Sequence, residues 1–332
     1  MILILSNDVD ETTNLVLDWL HYYEAKFWRI NGEDLTNLNL NIRLNAEQNY
    51  FYLRRKDSDK TIANDLFRVV WFRRWGHPLL HNKRFETESI EHQVLMYLRS
   101  EHSALTNILF TNLAHCEWIN SLDDLRLNKI YVLGEAVKVG LDVPDTLICH
   151  TKKELQQFLV SHPKIISKSI GDTTFFSDQD KVFGNYTVSI TEEDVENFQE
   201  TFFPSLLQEQ IAKKYEIRTF YLEGAFYSMA IFSQQDEQTT VDFRQYLLDK
   251  PNRNVPYKLP KSEEEKLQQL MTSINLKSGS IDMIKGIDGR YVFLEVNPLG
   301  QFSMVSYPCN YQLERKMAER LIQKNEAYGE QD

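Results

Sequence analysis

Two short runs of alternating side chains near the end of the chain constrain its fold more than any other feature. Residues 281–284 and 291–298 alternate between apolar and polar side chains, and the intervening Gly-Ile-Asp-Gly at 286–289 is typical of a tight turn. The pattern predicts a β-hairpin. Because successive side chains of a strand point to opposite faces, the position of the turn decides which side chains lie together.

A turn centred on residues 287–288 places Asp282 opposite Phe293 in the predicted hairpin. Alternation then puts Asp282, Glu295 and Asn297 on one face. The other face is apolar: Ile281, Met283, Leu294 and Val296. The clean separation of the two faces supports this register, and a turn longer or shorter by one residue would break the agreement.

This register makes the two carboxylates neighbours. Asp282 and Glu295 become a diagonal pair with Cα atoms about 7 to 8 Å apart, so their oxygens can meet on one cation. Together with the amide oxygen of Asn297, they form the kind of oxygen set that magnesium takes when it also binds phosphate. The alternative is a solvated hairpin whose wet face carries ordinary polar residues.

The rest of the chain alternates strand-like runs with helical stripes, which predicts an α/β fold. Residues 86–113 keep an apolar stripe over several helical turns, and strand-like runs at 206–211, 216–222 and 225–232 precede the hairpin. A chain of 332 residues is too long for one compact core. We therefore expect an N-terminal α/β domain, a small central domain and a C-terminal domain at residues 1–120, 121–205 and 206–332.

Charge and composition disfavour several classes of protein, namely nucleic-acid-binding, exported and membrane proteins. A net charge of -11 disfavours nucleic acid as a partner, and the basic clusters at 54–56 and 73–74 are too small for a nucleic-acid footprint. Nothing in the sequence resembles a signal peptide or a membrane span. The three cysteines are widely separated and odd in number, which favours free thiols. We expect a cytoplasmic protein that associates with neither nucleic acid nor membrane.

Several motifs, taken in order, resemble those of the ATP-grasp ligases. Asp282 followed by Phe-Leu-Glu-Val-Asn-Pro is similar to the metal-binding signature of that family. Lys129, just ahead of a predicted helix, and Lys168, at the end of a predicted strand, resemble its two phosphate-binding lysines. Each lysine taken alone is better explained as a surface charge. The resemblance implies ATP and Mg²⁺ as cofactors, with Mg²⁺ on Asp282, Glu295 and Asn297.

The resemblance also implies nucleotide contacts further along the chain. Residues 207–211 are similar to the hinge strand that holds the adenine, and they supply Gln208, Glu209, Gln210 and Ile211. Glu216 then implies a ribose contact and Arg218 a phosphate contact. Arg244 matches an arginine that meets the γ-phosphate or the substrate carboxylate. The plain alternative for Arg218 is a cross-strand ion pair, for instance with Glu216.

Two segments resemble the peptide-modifying branch of the family, the microviridin and graspetide macrocyclases. Residues 69–75 are similar to its aromatic-Arg-Arg strand, and residues 297–306 to the variant in its grasp-with-spasm peptide maturases. Arg73 and Arg74 are then expected to help hold the substrate carboxylate. They point in opposite directions if the strand continues, so at most one faces the site. Otherwise they are a solvated or structurally paired strand end.

The resemblance to that branch implies a defined reaction. ATP phosphorylates an Asp or Glu side chain of a precursor peptide, and a Thr or Ser hydroxyl or a Lys amine of the same peptide attacks the acyl phosphate. The partner is a precursor with leader and core segments, and a homodimer is allowed. Residues 173–187 and a helix over 192–202 are the candidate leader contacts. The lid at 171–184 departs from the family because it carries only two glycines.

Two other functions use the same residues. An intermolecular ATP-grasp ligase would add a free amino acid to a peptide or small acid, and net mass gain would distinguish it. A nucleotide-binding regulatory protein on a decayed fold would need no metal, yet Asp282, Glu295 and Asn297 are all present.

Overall fold

The computed structural model describes residues 1–36, 39–44, 49–54, 61–75, 90–121, 125, 127–171, 175–178, 181–184, 187–233 and 252–327. The chain divides into two compact units. Unit 1 comprises Met1–Leu125 with Gln312–Asp332, and unit 2 comprises Arg126–Tyr311. Among the described residues, no helix combines the length and the apolar character needed to cross a membrane.

Unit 1 is built around a parallel sheet of four strands in the order β2-β1-β6-β7. β1 is buried along its whole length, as expected for a central strand covered on both faces. A separate antiparallel sheet contains β3, β4 and β5. The elements are β1 (Ile2–Ser6), α1 (Glu11–Tyr22), β2 (Phe27–Asn31), β3 (Asn39–Leu44), β4 (Asn49–Arg54), β5 (Thr61–Ala63), β6 (Val69–Phe72), α2 (Ile90–Thr111), β7 (Glu117–Ile119) and the C-terminal α8 (Leu313–Ala327).

The C-terminal helix α8 belongs to unit 1 although we expected it in the third domain. It packs on α1, where the Tyr23 hydroxyl donates to Glu319 at 2.7 Å and the Arg315 Nε donates to Tyr23 at 3.0 Å. The buried side of α8, including Met317 and Leu321, completes the core of unit 1. The rest of the predicted three-domain division remains a prediction.

Unit 2 contains two larger antiparallel sheets and a separate hairpin of β10 and β11. The small sheet has the order β12-β9-β13-β8, and the large sheet has the order β16-β15-β14-β17-β18. The strands are β8 (Thr146–Thr151), β9 (Ile165–Lys168), β10 (Phe175–Asp178), β11 (Lys181–Gly184), β12 (Val188–Ile190), β13 (Thr201–Glu209), β14 (Lys213–Leu222), β15 (Ala225–Phe232), β16 (Arg253–Tyr257), β17 (Ser278–Gly286) and β18 (Tyr291–Asn297). The helices are α3 (Lys129–Lys138), α4 (Lys152–Ser161), α5 (Glu192–Glu196), α6 (Lys261–Ser273) and α7 (Ser303–Cys309).

The two faces of the large sheet have different partners. One face packs on α3 and α6 in a core that includes Leu133, Leu267, Ile217, Ile281 and Met283. Because side chains alternate along a strand, the residues between these apolar positions lie on the opposite face. That second face carries the polar residues that the sequence singles out.

The predicted helix over 192–202 is wrong in length. α5 ends at Glu196, and Thr191 and Asp194 form a reciprocal capping box at its start. Phe198 and Phe202 follow in non-helical backbone with ring centroids 5.7 Å apart, and both pack on the core of the small sheet. The helical spacing of the two rings therefore reflects a shared core contact, and the chain enters β13 at Thr201.

Candidate active site

The predicted hairpin exists, but its register differs from the prediction. β17 and β18 pair Met283 with Phe293, so the turn is one residue longer than expected, and a β-bulge then leaves Leu294 without a partner. The bulge places Asp282 directly opposite Glu295. Phe293, and not Leu294, lies in the apolar core. The longer turn shifts the register by one residue and the bulge by one more. Because side chains alternate with a period of two, a total shift of two residues leaves the two carboxylates on the same face.

Asp282 and Glu295 are consequently closer than predicted. Directly opposite residues of an antiparallel pair have Cβ atoms about 4.5–5.5 Å apart. Arg218 on β14 is the other cross-strand neighbour of Asp282, and its Nη1 donates to both Asp282 oxygens at 3.2 and 3.1 Å. Only 9% of the Arg218 side chain and 15% of the Asp282 side chain are exposed. Arg218 is thus in a cross-strand ion pair, with Asp282 and not with Glu216.

Lys129 brings a second cation to this face. It is the first residue of α3, whose start is capped by Asn128 through hydrogen bonds from the backbone of Ile130 and Tyr131. The Lys129 Nζ lies 3.8 Å from Glu295 Oε2. We call the four residues Arg218, Asp282, Glu295 and Lys129 the charge row. It contains two cations and two carboxylates and is therefore neutral.

Asn297 continues the same face at the end of β18, where it pairs with Ser280. Its Oδ1 accepts a hydrogen bond from the Leu299 amide at 3.0 Å, and its carbonyl accepts from the Gly300 amide at 3.1 Å. A carbonyl oxygen has a second lone pair, so Oδ1 retains the capacity to bind a cation. A Cβ on Gly300 would overlap the Ser280 side chain. The turn therefore requires glycine at this position.

The donor set fits magnesium. Among the described residues, no three His, Cys, Asp or Glu side chains group as a metal site. Magnesium is usually held by one or two carboxylates together with substrate phosphates and water, and not by an all-protein cage. Asp282, Glu295 and Asn297 offer such a set, with oxygen ligands alone.

Glu216 lies on the same face of β14 as Arg218 but is part of a separate buried network. It forms a close ion pair with Lys213 and accepts a hydrogen bond from the Ser233 hydroxyl at 2.8 Å. Only 9% of its side chain is exposed. Lys213 and Ser233 were not identified from the sequence. A Lys-x-x-Glu spacing on a strand does not indicate that the two side chains form an ion pair.

The small sheet carries the remaining predicted nucleotide residues. Leu207 and Ile165 pack on α4 and α5, so register places Gln208 and Lys168 on the opposite face. Gln208 is 1% exposed and its Nε2 donates to the Thr146 hydroxyl at 2.8 Å.

The predicted hinge residues lie at the end of β13 and directly after it. Glu209 exchanges hydrogen bonds with the backbone of Asp145, and Gln210 donates its amide to the Lys164 carbonyl at 2.9 Å. Gln210 and Ile211 form the short connection from β13 to β14, which begins at Lys213.

Arg73 and Arg74 lie in unit 1 and share one partner. β6 ends at Phe72, so the expected strand alternation does not apply to them. Arg73 Nη2 lies 3.7 Å and Arg74 Nε 3.3 Å from the same Asp10 oxygen. Burial lowers the pKa of the Arg73 guanidinium to about 10, while Asp10 acts in the opposite direction. Asp10 caps α1, and the Asp-Glu-Thr-Thr start of that helix is the signal that identifies it.

Two predictions fall partly or wholly outside the described residues. Arg244 lies outside them, as do residues 172–174, 179–180 and 185–186 of the predicted lid and leader contact. The described part of the lid is the β10-β11 hairpin, in which Phe175 pairs with Gly184.

Several solved structures have a fold similar to that of this chain. The macrocyclase MdnC from Microcystis aeruginosa MRC, bound with its precursor peptide MdnA, superposes with a TM-score of 0.83 at 25% identity, over 97% of this chain and 99% of that one. The chain therefore has the fold of the ATP-grasp ligases and is similar in structure to members of their peptide-modifying branch. An ATP-grasp ligase associated with ribosomally made peptides in Chryseobacterium gregarium, in complex with ADP and a leader and core peptide, gives 0.85 at 22% identity, covering 97% and 96%.

The ATP-grasp ligase PsnB, complexed with a phosphomimetic variant of its minimal precursor, Mg and ADP, has a TM-score of 0.74 at 15% identity and covers 98% of both chains. No family model and no curated protein matches the sequence. The resemblance and the α/β ATP-grasp fold predicted from the motifs are confirmed. The individual site residues of this ATP-grasp chain remain predictions.

Proposed function

We propose that this protein is an ADP-forming ligase that crosslinks side chains within a ribosomally made precursor peptide. The observation that carries the proposal is the charge row, which joins three strands and the start of α3 on one face of an ATP-grasp sheet. Its cations and carboxylates are the groups that a phosphate-transferring site needs at close quarters. The macrocyclases of similar fold supply the substrate class.

Asp282, Glu295 and Asn297 would hold Mg²⁺. When bound there, the ion offsets negative charge on the β- and γ-phosphates of ATP. Arg218 and Lys129 each contact one of the carboxylates, at 3.1 Å and 3.8 Å. These contacts hold both cations beside the metal ligands, where their remaining N–H groups can donate to phosphate oxygens.

The nucleotide would lie against the polar faces of the two sheets of unit 2. Lys168 would contribute a further charge to the phosphates. Gln208, Glu209, Gln210 and Ile211 would hold the adenine, and the buried Glu216 would contact the ribose. The contacts with Lys213 and Ser233 already fix the orientation of the Glu216 carboxylate. Less side-chain conformational entropy is therefore lost when the ribose binds.

The peptide carboxylate would be held by arginines, because a guanidinium donates to two oxygens at once. Arg73 and Arg74 are our candidates in unit 1, and Arg244 is the third. Arg74 suits direct contact better than Arg73, since 42% of its side chain is exposed against 3% for Arg73. Asp10 then orients both guanidinium groups.

The proposed reaction has two steps, a phosphoryl transfer and an acyl transfer. An oxygen of an Asp or Glu side chain attacks the γ-phosphorus of ATP, and ADP leaves. A Thr or Ser hydroxyl, or a Lys amine, of the same peptide attacks the acyl carbon, loses its proton and expels inorganic phosphate. Each ester or amide formed removes one water from the peptide. Positioning and charge neutralisation are sufficient, and no covalent enzyme nucleophile is required.

The compartment we propose is the cytoplasm, where ATP is supplied and thiols stay reduced. All three cysteines are buried and unpaired, in keeping with a reducing compartment. The leader contact at residues 173–187 and a homodimer remain part of the proposal.

The test is incubation of the protein with ATP, magnesium and a Thr/Ser- and Asp/Glu-rich peptide encoded beside it. Mass spectrometry should show the loss of one water per crosslink, and an unchanged mass contradicts the proposal. A net gain of an amino acid would instead indicate an intermolecular ligase. Glu295→Gln should abolish the product, whereas Asp288→Asn, in the exposed turn of the same hairpin, should retain it.

A further inference from the structure

A surface groove in unit 2 lies outside the charge row. It has a volume of about 660 Å³, within the range of ligand sites, and runs between α3 and the strand β8. Ile130, Gly134 and Val137 line it from α3, and Ile148 lines it from β8. Two of these apolar side chains are well exposed, Val137 at 56% and Ile148 at 42%.

The strand on one side of the groove has an open edge. Among the described strands, β8 pairs with β13 alone. The Glu209 amide donates to the Asp145 carbonyl at 2.9 Å, so Asp145 directs its hydrogen-bonding groups toward β13. Because these directions alternate along an antiparallel strand, the N–H and C=O groups of Thr146 and Ile148 point away from β13. An open edge of this kind accepts an added strand.

Among the described residues that line the groove, the charged ones are both acidic, Asp145 and Glu209. The Asp145 side chain is 60% exposed and hydrogen-bonded to His162 at 2.7 Å. A cationic side chain placed beside the two carboxylates would be attracted to them. The groove therefore combines an apolar floor, an open backbone edge and negative charge, which together match an extended peptide carrying Lys or Arg.

We propose that this groove binds an extended segment of the peptide substrate as an added strand on β8. Alternate apolar side chains of the segment pack on Ile130 and Val137, and a basic side chain contacts the exposed carboxylate of Asp145. This rests on the proposed function. The groove begins one residue after Lys129, so a peptide bound there is held next to the charge row by the same helix.

Gly134 offers a direct test, because no heavy atom lies within 4 Å of a Cβ built there. Gly134→Leu fills the groove and replaces the poorest non-proline helix former with a good one, so folding should be retained. Lys138→Leu is the control: it adds a leucine to the same helix at a position 71% exposed and outside the groove. Fluorescence anisotropy with labelled precursor should show at least tenfold weaker binding for Gly134→Leu and unchanged binding for Lys138→Leu. ATP affinity should be unchanged in both.

Hydrogen exchange of the wild-type protein gives a second test that needs no variant. Precursor should slow amide exchange at Thr146 and Ile148, because an added strand satisfies their N–H groups. Normal affinity in Gly134→Leu together with unchanged exchange in β8 overturns the groove while leaving the crosslinking proposal intact. A precursor that neither binds nor is crosslinked by the wild-type protein overturns both.

Discussion

Gly300→Ala is predicted to damage the proposed metal site through packing alone. The backbone at Gly300 is not left-handed, so the cost comes from contacts: the new Cβ would overlap Cβ and Oγ of Ser280 and lie 3.1 Å from the Asn297 carbonyl oxygen. Ser280 is fully buried and cannot move into solvent. Overpacking of this kind costs about 1–3 kcal/mol. The strain falls on the turn that carries Asn297.

Two measurements test the effect of Gly300→Ala. The melting temperature should fall by about 2–4 °C per kcal/mol for a unit of this size. The magnesium concentration that gives half-maximal crosslinking should rise, since Asn297 is displaced, while ATP affinity at saturating magnesium changes less. Gly134→Ala is the matched control, because nothing lies within 4 Å of its Cβ. That variant should be more stable by about 0.5–1 kcal/mol, since alanine favours a helix over glycine.

A double-mutant cycle with Ser280→Gly isolates the contact. Removing the Ser280 side chain removes both overlapping atoms, so Gly300→Ala should cost much less in that background. The expected coupling is about 1–2 kcal/mol, reported by the melting temperature. Additive effects of the two substitutions, or a loss of stability with no change in magnesium dependence, would refute the reasoning.

The remaining predictions test the ion pairs and thiols. Asp282→Asn should abolish crosslinking and destabilise the protein by on the order of 3 kcal/mol, because it leaves the Arg218 guanidinium buried without its counter-charge; urea unfolding and product mass measure both effects. Arg73→Ala should destabilise similarly, whereas the more exposed Arg74→Ala should change stability by less than about 1 kcal/mol and raise the peptide KM. Burial raises the pKa of the Cys309 thiol to about 11, so a thiol reagent at pH 8 should label it slowly until the protein is unfolded. The same shift makes stability fall as pH rises from about 9 toward 11, because the unfolded state releases the proton first; fast labelling of the folded protein would contradict the assignment.

The charge row also explains why charged side chains can be largely buried at this site. Each cation lies beside a carboxylate, so neither charge type is left alone in a poorly solvated position. Binding of phosphates and magnesium at the proposed site would add charges of both signs to this already alternating set.

Local patterns in the sequence determined much of this arrangement. The alternation in β17 and β18 was sufficient to predict a hairpin, because side-chain direction within one strand depends only on local backbone geometry. Asp282 and Glu295 lie on one face as predicted, although the register that brings them there differs from the predicted one. The motif order from Lys129 onward was sufficient to predict the ATP-grasp fold. Both predictions depend on short-range patterns that a single chain carries in full.

Tertiary packing decided the rest. The longer turn and the bulge at Leu294 arise because Phe293, opposite Met283, fills the core under α3, and no local pattern shows which apolar side chain the core will accept. The pairing of Lys129 with Glu295 and of Arg73 and Arg74 with Asp10 joins residues far apart in the chain. The sequence identifies those charged groups, but only the folded backbone brings each within reach of its partner.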